Sequence, residues 1–232
     1  MSWPALCLLA ASAAPPGFCW VPPGQFVMGR NGATADQAPA HRVVLEGFWL
    51  SRCEISNAQF QAYLAASGQA APGLWADMAE KNGPQAPALG VSFQDAQGFC
   101  AWAGGRLPTE EEWEYAARGP DQRLYPWGPQ FSATACPLGG EQPLAVDSLP
   151  EGASWVGCLH MAGNAWEWTD SWYQAYPQSR SGRPEYGQKY RVLRGGHWQF
   201  QSPEFVQSCA RSWSLSVARL PQAGFRIVKL GL

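Results

Sequence analysis

Long apolar runs are scarce in this chain of 232 residues. The stretch Trp3 to Ala14 is nearly uninterrupted, yet it falls short of the roughly 20 apolar residues a membrane-spanning helix needs, and no other segment qualifies. No Cys-x-x-Cys pair occurs, which excludes a zinc ribbon and a thioredoxin-type motif. Gly-rich phosphate loops, a nucleophile elbow and a His-Glu-x-x-His helix are also missing. Charged residues make up only 15%, with a net charge of -2, so there is no electrostatic footprint for nucleic acid. Histidine is limited to His41, His160 and His197. Neither an internal repeat nor a linker interrupts the chain.

What is abundant is Gly (25), Pro (20) and Trp (13), the balance of a folded protein rich in turns and packed through aromatic rings. The length suits one domain with a substantial core. Residues 1–17 read as a signal peptide or N-terminal tail and residues 18–232 as the domain. The run ends in Ala11-Ser12-Ala13, which resembles a cleavage site, but no Lys or Arg precedes Arg30 to supply a basic n-region. The expectation is therefore a periplasmic or secreted protein, with a buried strand or tail in a cytoplasmic one as the alternative. Beyond Cys7, six cysteines remain, an even number that suits an oxidising compartment but leaves their pairing open.

Phe18 to Met28 and His41 to Leu50 read as strands. Ser56 caps a short helix with Phe60, Tyr63 and Leu64 on one face, and a Pro/Gly/Ala-rich surface connection follows from Gly68 to Gly90. Ser92 opens a second helix with Asp95 at capping-box spacing and ends at Gly104-Gly105. Thr109 and Glu112 have the same spacing, so the acids Glu110 to Glu112 are read as helix-start residues rather than catalytic ones. After Gly119 only short strands fit, notably Tyr190 to Arg194 and Gly224 to Lys229. The sum is one α+β domain with low regular secondary structure.

The densest segment is Met161-Ala162-Gly163-Asn164-Ala165-Trp166-Glu167-Trp168-Thr169-Asp170. Its Gly-Asn pair marks a turn, and an acid just beyond it suits a hard cation; an aromatic-walled structural turn is the competing reading. The segment belongs to an ordered series. Val21-Pro22-Pro23-Gly24 through Met28-Gly29 opens it, followed by Phe48-Trp49-Leu50 and Glu54-Ile55-Ser56-Asn57. Val91 to Ala96, Trp102 to Gly119 and Tyr125-Pro126-Trp127-Gly128 precede the Trp-rich turn. Arg194-Gly195-Gly196, Ala210-Arg211-Ser212 and Gly224-Phe225-Arg226 close the series. In this order the motifs resemble the formylglycine-generating enzyme, or sulfatase-modifying factor, family, and the resemblance implies a single C-type-lectin-like domain. Members of that family include copper-dependent oxidases that convert a sulfatase cysteine to formylglycine, domains of ergothioneine-pathway sulfoxide synthases, periplasmic siderophore-maturation factors and proteins without assigned catalysis.

The oxidases carry two copper-binding cysteines between Arg-Gly-Gly and Ala-Arg. Here the first position falls at Phe200 and the second near Glu204 or Phe205, so copper and the formylglycine reaction are not expected. The resemblance also implies a calcium site at Gly163, Ala165 and Glu167, with His160, a poor ligand for a hard ion, in the fourth position. The family's second calcium site is lost, since its Asn position is Cys136. A Cys136–Cys158 disulfide is the expected replacement, closing a loop of about twenty residues and contributing roughly 3 kcal/mol. His197, Trp198, Phe200, Phe205, Arg211 and Trp213 are the residues expected to line a groove for an extended peptide or protein segment. Three functions fit: an exported maturation or accessory factor acting on or binding a peptide-like substrate, a non-catalytic lectin-like peptide- or protein-binding module, or a formylglycine-generating oxidase with displaced ligands. A metal site built from the three histidines is a further alternative.

Overall fold

Pro22 and Pro23 interrupt the first predicted strand, because a proline cannot donate to a sheet ladder. The computed structural model, which describes residues 14–230, shows two strands there: β1 (Phe18–Val21) and β2 (Gly24–Met28). The apolar run through residue 13, including the cleavage-like Ala11-Ser12-Ala13, lies outside the described residues. The second predicted strand divides likewise into β3 (His41–Leu45) and β4 (Phe48–Ser51). At the division stands Gly47, where an added Cβ would meet the Trp20 ring at 2.5 Å. Both breaks pass the chain from one sheet to another, since β2 pairs antiparallel with β3 while β1 pairs with β4.

The Gly224 to Lys229 prediction splits for the same reason. Ala223–Gly224 and Val228–Leu230 are separate strands in separate sheets. The latter completes the β1–β4 sheet. The former lies parallel to the strand Trp166–Trp172 at the edge of a four-stranded sheet that also holds Tyr190–Arg194 and Arg211–Leu215. The crossing residues Phe225 and Arg226 carry an aromatic ring and a guanidinium into the interior, and both are fully buried.

Three helices begin where the capping signals place them: α1 (Asn57–Ser67), α3 (Phe93–Trp102) and α4 (Glu110–Arg118). Each has a complete capping box, on Ser56 and Gln59, Ser92 and Asp95, and Thr109 and Glu112. The surface connection expected from Gly68 to Gly90 instead contains α2 (Gly73–Asn82). Trp75 explains it: the ring is buried against Phe60 and its Nε1 donates to Asn57 Oδ1 at 3.1 Å, so tertiary contacts hold a helix of weak local signal. Phe60, Tyr63, Trp75, Phe99 and Phe225 interlock as the main apolar core between α1, α3 and the four-stranded sheet. Among the described residues, no helix is long and apolar enough to cross a membrane.

Candidate functional site

The Trp-rich turn is built almost entirely of buried side chains. Gly163 has φ +87°, and a Cβ there would collide with the Cys136 sulfur, so only glycine fits. Asn164 fastens the turn on two sides. Its Nδ2 donates to Glu54 Oε2 at 2.8 Å, and its Oδ1 accepts from the Leu144 amide at 2.9 Å. Trp168 Nε1 donates to the Val91 carbonyl at 3.0 Å. Glu167, fully buried, accepts from Trp113 Nε1 at 2.7 Å and from two nitrogens of Arg226 at 2.6 and 2.7 Å.

That ion pair bears on calcium. Both carboxylate oxygens of Glu167 face the guanidinium or the indole. His160 is buried with φ +53°, and its Nε2 lies 3.1 Å from the Ser148 hydroxyl. Burial first, and then the nearby Arg226, lower the His160 pKa to about 4, which leaves a neutral imidazole. The described residues contain no group of three His, Cys, Asp or Glu able to hold a metal ion. The two side chains of the expected set, a Glu167 already paired and a neutral His160 nitrogen, are poor partners for calcium, a hard cation that takes six to eight oxygens. The same finding applies to the three-histidine alternative: His41 packs on Tyr176 at 4.7 Å, whereas His197 packs on Phe200 at 4.1 Å.

Phe200 and Phe205, two of the positions expected for the family's cysteines, stack with ring centroids 4.8 Å apart and planes 19° apart. Glu204, the other position considered, is exposed. Trp166 meets the Phe200 ring edge-on at 5.9 Å, and the tilted His197 ring packs on it as well. Phe205 is 52% exposed, while Phe200 and His197 are half-buried. The result is an apolar, aromatic surface with one imidazole and no thiol.

The remaining groove candidates are elsewhere. Trp198 turns inward, only 6% exposed, and lines a cavity of about 120 Å³ with Cys136, His160 and Asn164. Arg211 is a structural side chain, not an exposed anchor. Its Nε and Nη2 bond Glu110 at 2.6 and 2.8 Å, and its guanidinium lies over Tyr173 and Tyr176. Trp213 packs on Tyr190 at 4.4 Å, within that second aromatic group. The acids of α4 serve more than the helix start. Glu112 closes the capping box, while Glu110 and Glu114 bind Arg194 at 3.0 and 2.5 Å.

The expected Cys136–Cys158 bridge does not form; both are free thiols. Cys136 packs with Tyr125, Ala162 and Val206, and Cys158 with Val21, Met161 and Val228 in a different cluster. Sequence position alone does not reveal that the two thiols belong to different clusters. Glu54 carries no local sequence signal of a chemical role. It adjoins a larger cavity of about 680 Å³ shared with Phe18, Arg52, Cys53, Trp102 and Asp147, and its Oε1 has no hydrogen-bond partner.

Comparison with known proteins matches residues 8–230 to the sulfatase-modifying factor enzyme 1-like domain. The hercynine oxygenase of Mycobacterium tuberculosis is 31% identical over 87% of this chain and 58% of its own length. The formylglycine-generating enzyme of Bos taurus is 30% identical over 89% of this chain and 72% of its own. Among solved structures, PvdO from Pseudomonas aeruginosa superposes with a TM-score of 0.74 at 25% identity, covering 96% of this chain and 97% of that one. This chain spans between 53% and 60% of the length of the mycobacterial oxygenases it matches.

Proposed function

Because this chain belongs to the sulfatase-modifying factor enzyme family, we propose that it uses the family scaffold to bind or act on a peptide-like segment at the Phe200–Phe205 surface, without copper-dependent oxidation of a cysteine. One observation carries this reading: a stacked phenylalanine pair occupies the stretch in which the two copper-binding thiolates are expected. An aromatic pair offers a soft ion no ligand. It does offer an extended peptide an apolar anchor, flanked by the His197 imidazole for a polar contact. The reading includes export as a maturation or accessory factor, supported by the apolar N-terminal run.

Co-expression with a sulfatase, followed by mass spectrometry of the sulfatase's target cysteine, tests the negative half of the proposal. The cysteine is expected to stay unmodified, and formylglycine at that position would overturn the reading. The positive half predicts that Phe205→Ala weakens binding of a captured peptide roughly tenfold or more, as loss of a central aromatic anchor does, with the thermal midpoint unchanged.

An oxygenase is the second reading, favoured by the 31% identity to the mycobacterial relatives. It rests on that similarity, because the described residues offer no three-ligand metal set. Metal analysis of the purified chain discriminates: one stoichiometric redox metal, lost on His197→Ala, favours the oxygenase, and none favours the binding reading.

A further inference from the structure

Two thiols outside the aromatic surface meet across elements far apart in the sequence. Cys19 lies on β1, paired opposite Leu50 of β4. Cys158 ends a tight loop in which the Ser154 amide donates to the Cys158 carbonyl at 2.8 Å and the Gly157 amide to the Ser154 carbonyl at 2.8 Å. The Ser154 hydroxyl accepts from the Cys158 amide at 3.3 Å. This loop closes down on β1: a Cβ built on Gly157 would lie 3.7 Å from Cys19 Sγ. Cys19 packs against the apolar cluster to which Cys158 belongs. Cys19 is half-buried and Cys158 fully buried.

We propose that Cys19 and Cys158 form a dithiol–disulfide pair, which closes by exchange with a low-molecular-weight disulfide and ties β1 to the loop entering the Trp-rich turn. The exposure of the two sulfurs orders the steps. The accessible Cys19 thiolate attacks one sulfur of the donor, breaking its S–S bond and releasing one thiol. Cys158 then gives up its proton and attacks Cys19 Sγ, displacing the second thiol. One disulfide is lost from the donor and one gained in the protein, and two electrons pass to the two released thiols. The environment favours this order, because Cys158 and the nearby Arg226 and Arg52 lower the Cys19 thiol to about 7. Burial raises Cys53, Cys100, Cys136 and Cys209, and the neighbouring Cys19 and then burial raise Cys158, so Cys19 is the first nucleophile and Cys158 loses its proton only in the closing step.

The test treats the full chain with oxidised glutathione, alkylates the remaining thiols in denaturant and maps the peptides without reduction. A Cys19–Cys158 linked peptide is expected, together with a rise in thermal midpoint on the order of 10 °C over the reduced protein, as cross-linking so long a loop implies. In Cys158→Ser, Cys19 should accumulate as the glutathione mixed disulfide. In Cys19→Ser, glutathionylation of Cys158 should be at least roughly tenfold slower than closure in the unaltered chain. Recovery of Cys19 and Cys158 as separately alkylated peptides after oxidation would overturn the proposal. So would a bridge from either of them to Cys53. Both outcomes are read on the unaltered chain, so they do not depend on how either variant folds.

Discussion

Glu54 illustrates how much a single side chain can depend on neighbours that the local sequence does not reveal. Its carboxyl is buried beside that of Glu167; burial first and then that charge raise its pKa to about 8, against the opposing pull of Arg226 and Asn164. The folded state therefore holds a proton that the unfolded chain releases near its ordinary carboxylate value. Stability from this group is fully present below about pH 4.5 and is lost as pH rises through about 8, amounting to a few kcal/mol. Glu54→Gln keeps an oxygen for Asn164 and removes the titration. The unfolding free energy of the variant, measured by denaturant titration between pH 5 and 8, should fall less steeply with pH than that of the unaltered protein. An unchanged slope would contradict the assignment. Residues differ in how well the sequence revealed them. The order of motifs points to Phe200 as an expected cysteine position, but its stack with Phe205 is a tertiary contact the sequence does not show, and placing Arg211 in an ion pair needed Glu110, 101 positions away.

Elements were legible where local chemistry dictates them. Ser56, Ser92 and Thr109 announce three helices because each supplies an oxygen to an otherwise unsatisfied amide, with Gln59, Asp95 or Glu112 returning the bond. The helix Gly73–Asn82 was not legible, since it lacks a side-chain cap and depends on burial of Trp75. The Trp-rich turn lies between these cases. Its glycine was recognisable as a turn residue, but its contact with Cys136 was not. Gly163→Ala would impose a strained φ and drive a methyl into that sulfur, so a loss of about 2–3 kcal/mol is expected in denaturant unfolding. A loss below about 0.5 kcal/mol would mean that the turn relaxes and is not the rigid staple described here.

At the scale of the molecule, the ordered motifs revealed the fold because most of them are scaffold. Glu167 holds Arg226, Asn164 holds Glu54, and Arg194 and Arg211 hold the acids of α4. Such pairs join sheets, helices and turns whatever chemistry the surface carries, which is why a shared fold leaves function open. The central claim is that this chain keeps the scaffold and has exchanged the copper site for an aromatic one. Its most direct test is an anaerobic Cu(I) titration against a chromophoric chelator, with Cys19 and Cys158 replaced by Ser so that their thiols do not compete. The account predicts that the chelator keeps its copper, and that further adding Phe200→Cys and Phe205→Cys creates a site withdrawing one Cu(I) per chain. Withdrawal of one equivalent by the protein with Phe200 and Phe205 intact would contradict it.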